Sequence, residues 1–202
     1  MRIAELDPDT APTWTALFDA CGCTCFCRWW HFTGTKNEWL ARAVDEPGRS
    51  RDEQVALISR RAPESHGLVA LEGDLAVGWM KLSPRSTLAK LLSQGPYRSL
   101  ALGRDEETWS IGCLLVHPAH RRQGIARHLI SAACPWVAQR GGRAVEAYPR
   151  RAEGPIHDEE AWMGTAALFA SCGFVQVAGE GPYPVMRRSI GEPVVGLADN
   201  QA

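Results

Sequence analysis

The sequence predicts a mixed α/β domain, and three observations carry that prediction. Two short apolar runs, Gly67–Leu71 and Leu75–Leu82, are joined by Glu72-Gly73-Asp74, which is a β-hairpin pattern. A continuous apolar run, Trp109–His117, has the character of a central strand buried on both faces. A helical stretch, Gly124–Arg140, and another strand, Ala144–Tyr148, follow it, making a strand–helix–strand unit.

Each element has a local reason. Arg2–Leu6 reads as a first strand, and Asp9 or Thr10 caps a helix over Ala11–Ala20 with Trp14, Leu17 and Phe18 at helical spacing. Asn37–Val44 reads as a short helix closed by Pro47-Gly48. Ser50, with Glu53 three residues on, makes a capping-box pattern for the next helix, whose Val55, Leu57 and Ile58 face inward. Ser86–Leu92 is a short helix, and Gly95-Pro96 with Arg104–Glu107 marks a loop. Pro118 ends the central strand, and Gly141-Gly142 stops the helix after it. Pro135 inside that helix removes one backbone hydrogen bond and is expected to kink it. Residues 150–157 read as a polar loop and Asp158–Ser171 as a helix ended by Gly173. Phe174–Val177 and Pro184–Ser189 form a closing strand pair, and the tail after Gly191 is expected to fray.

Bulk properties narrow the function. The chain has 202 residues, 45% hydrophobic and 22% charged, which suits one soluble domain and excludes global disorder. A formal net charge of −1 gives no whole-surface attraction to nucleic acid or anionic membrane. No apolar run approaches the ~20 residues that span a bilayer. The start, MRIAELDPDT, carries acids where a signal peptide has a basic and then apolar stretch, so the expected location is cytoplasmic.

Seven cysteines, an odd number, argue against a disulfide framework. Four alternate: Cys21, Cys23, Cys25 and Cys27. On a strand they would share a face at ~6.6 Å spacing, which suits two ligands of one metal ion and hardly four. Reduced thiols are the main reading, with metal binding and redox chemistry as alternatives. Eight tryptophans, two of them adjacent at Trp29 and Trp30, line either a pocket or the core.

The stretch with chemical content is W-S-I-G-C-L-L-V-H-P-A-H-R-R-Q-G-I-A-R-H-L-I, residues 109–130. A buried strand ends at a proline, a basic turn pivots on Gly124, and a helix begins. The first turn of a helix offers free backbone N–H groups and the positive end of its dipole, which suits an anion. Gly124 lets a phosphate approach, Ala126 keeps the next turn small, and Arg121 and Arg122 add charge-assisted contacts. The turn is neither G-x-x-x-x-G-K-S/T nor G-x-G-x-x-G.

V-H-P-A-H-R-R-Q-G-I-A resembles the acetyl-CoA motif of the GNAT acetyltransferase superfamily, V-x-P followed by R/Q-x-x-G-x-G/A, at Val116, Pro118, Arg121, Gly124 and Ala126. A-A-L-F-A-S-C-G-F, residues 166–174, resembles that family's late helix and Gly-Phe. The hairpin L-V-A-L-E-G-D-L-A-V-G-W resembles the strand pair before its cofactor strand. The likeness covers residues 67–190, and within the family it lies with a bacterial subgroup lacking a clear substrate. It implies a mostly antiparallel twisted sheet with a splayed central strand pair and flanking helices. The whole of 1–202 would be one domain, with 1–66 as acceptor-side helices, 67–190 as the cofactor core and 191–202 as a tail.

The resemblance also implies roles. Acetyl-CoA would be the acyl donor, its pyrophosphate on the backbone of Arg122, Gln123, Gly124, Ile125 and Ala126 beside Arg121. The pantetheine arm would pair with Leu115, Val116 and His117, and the Val116 N–H would stabilise the thioester oxygen. The family's usual glutamate position falls at Ser110-Ile111 and its usual tyrosine at Phe169, so neither proton-transfer residue carries over. Glu146 and Tyr148, two apart and therefore on one face, are substitutes if that face is the slot rather than the core. His117 is a weaker base, Cys113 reads as a buried thiol, and Trp29, Trp30 and His31 are candidates to line the acceptor pocket.

The expected function is acetyl transfer from acetyl-CoA to an amine of a small molecule or peptide, with no metal, nucleic-acid or membrane partner. A homodimer is compatible with it. The alternatives are a non-catalytic acyl-CoA sensor and a metal-binding module built on Cys21–Cys27.

Overall fold

A computed structural model describes residues 1–100, 102, 107–151, 154 and 161–191. In chain order the strands are β1 (Arg2–Glu5), β2 (Gly67–Glu72), β3 (Leu75–Pro84), β4 (Thr108–Val116), β5 (Ala144–Ala147), β6 (Val175–Ala178) and β7 (Val185–Ser189). The helices are α1 (Ala11–Ala20), α2 (Lys36–Asp45), α3 (Arg49–Ser59), α4 (Ala89–Leu92), α5 (Ile125–Ala138) and α6 (Ala166–Ala170). They form a mixed α/β domain around one sheet of order β1-β2-β3-β4-β5-β7-β6. Among the described pairings, all are antiparallel save β4 with β5.

The central strands are apolar at successive positions because helices cover both faces. Leu68, Ala70 and Met80 face Leu129, Ile130 and Ala133 of α5. Their neighbours Val69, Leu71 and Trp79 face Trp14, Leu17 and Phe18 of α1. A third cluster of Trp30, Leu88, Leu91, Tyr97, Tyr148 and Val185 packs beyond these two.

α5 lies close to the sheet where Gly78 removes a side chain. A Cβ there would sit 2.5 Å from Cγ2 of Ile125. Pro135 lies inside α5 on its exposed face, so the carbonyl it leaves unbonded, that of Ser131, is open to water.

Several expectations needed correction. The capping box belongs to α2, where Thr35 accepts from the Glu38 N–H and Glu38 accepts from the Thr35 N–H. α3 starts from Gly48 in a left-handed conformation, and Glu53 is drawn instead to Arg42 and Arg49. The expected 86–92 helix is a 3-10 turn, Arg85–Thr87, followed by α4. Cys21–Cys27 does not form a strand. Phe26 (φ 45°) and Cys27 (φ 58°) are left-handed and lead into a 3-10 turn at Arg28–His31. The late helix is α6 alone, capped by the Thr165 hydroxyl. Of the expected Asp158–Ser171 span, residues 158–160 lie outside the described residues, as do 104–106 of the expected loop, 152–153 and 155–157 of the next, and 192–202 of the tail. The closing strands pair as expected, but β7 inserts between β5 and β6. Among the described residues, no helix is long and apolar enough to cross a membrane.

Candidate active site

β4 builds the site by parting from β5. The two run parallel from Thr108↔Ala144 to Ile111↔Ala147, where β5 ends. β4 continues to Val116 with an opening beside it. On its other edge, Lys81 pairs with Cys113 and Leu82 with Ile111, so Gly112 is the extra residue of a bulge. Glycine suits this position because a Cβ would press on the Trp30 ring at 3.2 Å. The Trp30 indole N–H donates to the Gly112 carbonyl at 2.7 Å.

Beyond the bulge the backbone alternates. The His117 N–H donates to Val77 on the β3 side, and the Leu114 N–H donates to the Trp162 carbonyl on the open side, 2.7 Å away. That alternation turns the Val116 N–H toward the opening.

A 3-10 turn at Pro118–His120 follows β4, and the chain enters α5 through Arg122 (φ 61°) and Gly124 (φ 81°), both left-handed. The free N–H groups of the first turn of α5 therefore face the same opening. A cleft of about 1020 Å³ runs from Leu114, Leu115 and Val116 past Arg121, Arg122, Gly124, Ile125 and Ala126 to Arg150, Arg151, Trp162 and Thr165. Arg127 adds a fifth guanidinium, and the described lining contains no carboxylate. This charge and shape fit a ligand with several phosphates and a long, thin arm.

The side chains of His117 and Gln123 are tied into the turn rather than lining the cleft. His117 Nδ1 accepts from the Ala119 N–H, and Gln123 donates to the Ala119 carbonyl, so both tie the turn together.

Glu146 and Tyr148 share a face, and it is the core. Glu146 is fully buried. Its Oε1 accepts from Nε and Nη2 of Arg187, at 2.9 and 2.6 Å. Its Oε2 accepts from Nη1 of Arg85 at 3.0 Å and from the Tyr148 hydroxyl at 2.8 Å. The Ser110 hydroxyl lies 2.9 Å from the Tyr148 hydroxyl. Burial, reinforced by the Glu146 charge, pushes the Tyr148 phenol well above its ordinary range, so it stays protonated.

Trp30 stacks at 5.3 Å on Trp162, which lines the cleft. On its far side lies a second cavity of about 470 Å³, lined by Arg28, His31, Phe32, Glu64 and Lys90 among others. Burial, with Lys81 and Arg28 nearby, pushes His31 down to about 2, so its ring is neutral. Trp29 instead packs against Trp39, with the Lys90 ammonium 4.9 Å from its ring.

Trp162, Thr165 and the Arg85–Glu146–Arg187 group were not anticipated from the sequence. Only the adjacent Arg150-Arg151 pair, after a strand, carried a readable sign of further phosphate contacts. All seven cysteines are free thiols, and no group of three or more metal-ligating side chains exists among the described residues.

The sequence matches the model of the acetyltransferase (GNAT) family over residues 26–154. The chain belongs to the GNAT acetyltransferase family. Solved GNAT folds resemble it along nearly its whole length. PaiA N-acetyltransferase from Thermoplasma acidophilum, in complex with coenzyme A, is 11% identical, covering 94% of this chain and 99% of its own, with a TM-score of 0.50. Aminoglycoside 6'-acetyltransferase type Ii is 18% identical, covering 96% and 100%, with a TM-score of 0.55. An aminoglycoside 6'-N-acetyltransferase complexed with coenzyme A is 17% identical, covering 96% and 99%, with a TM-score of 0.52. At these identities the likeness is one of fold. No curated protein matches the chain.

Proposed function

We propose that this GNAT protein binds acetyl-CoA in the arginine-lined cleft and transfers its acetyl group to an amine of a small molecule or peptide. The observation that carries the reading is the parting of β4 from β5 directly beside the left-handed turn at Gly124. The pyrophosphate rests on the N–H groups of residues 122–126, with Arg121 and Arg122 as counter-charges. The pantetheine arm runs along Leu115 and Val116 as an added strand.

The amine attacks the thioester carbonyl directly. The chain's share of the work is to hold the two groups aligned and to present the Val116 N–H to the developing oxyanion. Both carboxylate oxygens of Glu146 are already bonded, so we assign Glu146 and Tyr148 a positioning role at the seam between β4 and β5. The amine's proton then leaves through water. Trp30 and His31 form the wall between the cleft and the acceptor cavity. The lack of a free carboxylate among the described lining residues supports a second reading, an acyl-CoA-binding sensor without catalysis.

Calorimetric titration of acetyl-CoA into wild type and Gly124→Glu tests the binding step. Micromolar binding by wild type and none by the folded variant are expected; equal behaviour of the two removes the assignment. Thiol release in the presence of an amine panel then separates enzyme from sensor. Release with at least one amine supports transfer, and binding without release on any amine supports the sensor.

A further inference from the structure

The cysteine segment takes no part in the cleft's chemistry, yet its geometry is specific. Cys23 Sγ lies 3.6 Å from Cys25 Sγ, and the two thiols share a hydrogen bond. Both residues are partly exposed, Cys23 the less enclosed of the two, whereas Cys27 is buried. Thr24 alone separates them in sequence. The hydrogen bond from Cys25 brings the Cys23 thiol down to about 7, while Cys25 itself is pushed well up, first by that same bond and then by burial. One sulfur is thus a ready nucleophile and its neighbour holds its proton, the division of labour a dithiol needs.

The surroundings hold the pair in place. Cys27 accepts from the Trp79 indole N–H at 3.3 Å. The left-handed Phe26 and Cys27 follow the pair and turn the chain into the 3-10 turn at Arg28–His31. On either side, the Cys21 thiol lies against the Val116 carbonyl at 3.7 Å and Trp30 against the Gly112 carbonyl.

We propose that Cys23 and Cys25 form a reversible redox dithiol, closed to an intramolecular disulfide by exchange with a low-molecular-weight disulfide. The Cys23 thiolate attacks one sulfur of the reagent disulfide, forming a mixed disulfide and releasing one thiolate. Cys25 gives its proton to that released thiolate and attacks the Cys23 sulfur. The Cys23–Cys25 bond forms, the mixed bond breaks, and a second thiolate leaves to be protonated by water. Two protein thiols are oxidised and one disulfide is reduced to two thiols. A bridge across a single intervening residue closes a tight ring, and strained bridges are the readily reduced ones. The inference is independent of the acyl-transfer reading.

The test uses the full chain and glutathione disulfide, read by free-thiol titration and by fragment mass spectrometry. Wild type should lose two thiols as a Cys23–Cys25 bridge that dithiothreitol restores. Cys25→Ser should stop at a stable glutathione adduct on Cys23, and Cys23→Ser should form no bridge. Loss of two thiols in Cys23→Ser overturns the inference. So does an adduct on Cys21 in place of Cys23, or reaction only after denaturation. Should a serine variant fail to fold, the pH profile of iodoacetamide alkylation on native wild type decides instead. Cys23 alkylating first, with a midpoint near 7, supports the dithiol; Cys21 or Cys25 alkylating first overturns it.

Discussion

Trp30 donates its indole N–H to the carbonyl of Gly112, the extra residue of the β4 bulge, at 2.7 Å. A residue from the Cys/Trp segment thus fixes the kink that opens the sheet. Trp30→Phe keeps the ring and removes the donor, leaving a buried carbonyl without that partner. The expected loss is about 1–3 kcal/mol in urea unfolding, together with weaker acetyl-CoA binding. Unchanged stability would remove Trp30 as the anchor of the bulge.

Gly78 sets how closely the start of α5 approaches β3. Gly78→Val should cost roughly 1–3 kcal/mol through overpacking against Ile125 and Leu129, and the displaced helix start should raise the acetyl-CoA dissociation constant. Gly95→Ala, whose Cβ meets nothing within 4 Å, is the control and should change neither.

Glu146 neutralises Arg85, which is 1% exposed. Glu146→Leu removes the buried carboxylate that this guanidinium and Arg187 both bind, and a loss of about 3–5 kcal/mol is expected. Adding Arg85→Met should recover much of it, because an apolar pair of similar volume avoids burying charge. A single variant as stable as wild type would contradict the structural role.

Lys81 supplies a pH dependence. Burial drives its ammonium from an ordinary 10.5 down to about 7. Between those values the unfolded chain holds a proton that the folded chain lacks, so this group makes stability rise with pH across that window. Lys81→Met should be more stable than wild type at pH 7, and the gap should narrow toward pH 10. Urea unfolding at several pH values reads the difference; a gap that widens with pH contradicts the assignment.

Much of the frame was legible because it rests on local signals. The 67–84 hairpin, the apolar β4 run and the glycine opening α5 each announce themselves in consecutive residues. The left-handed Gly124 and the close approach at Gly78 are backbone requirements that glycine alone meets cheaply. The Cys segment misled because alternating cysteines resemble a strand face, whereas the left-handed Phe26 and Cys27 break the alternation. The pattern at Ser50 and Glu53 recurs at Thr35 and Glu38, and it is the latter pair that caps, before a helix without a single fully buried residue. The environment of Glu146 was not legible. Its partners Arg85 and Arg187 are 61 and 41 residues away in the chain, and only tertiary packing brings them together.

The seam between β4 and β5 is only four residue pairs long, and this gives the sheet a mechanical character. β1–β4 form one leaf and β5–β7 another, joined by a short hinge. The Arg85–Glu146 link braces the hinge, and α5 packs against strands of both leaves. On the proposed reading, a strand-like ligand in the wedge would add hydrogen bonds to β4 beyond Ile111, where the pairing with β5 ends. On that reading, filling the wedge should stiffen the join between the leaves, read as slowed amide exchange at Val116, whose N–H faces the opening.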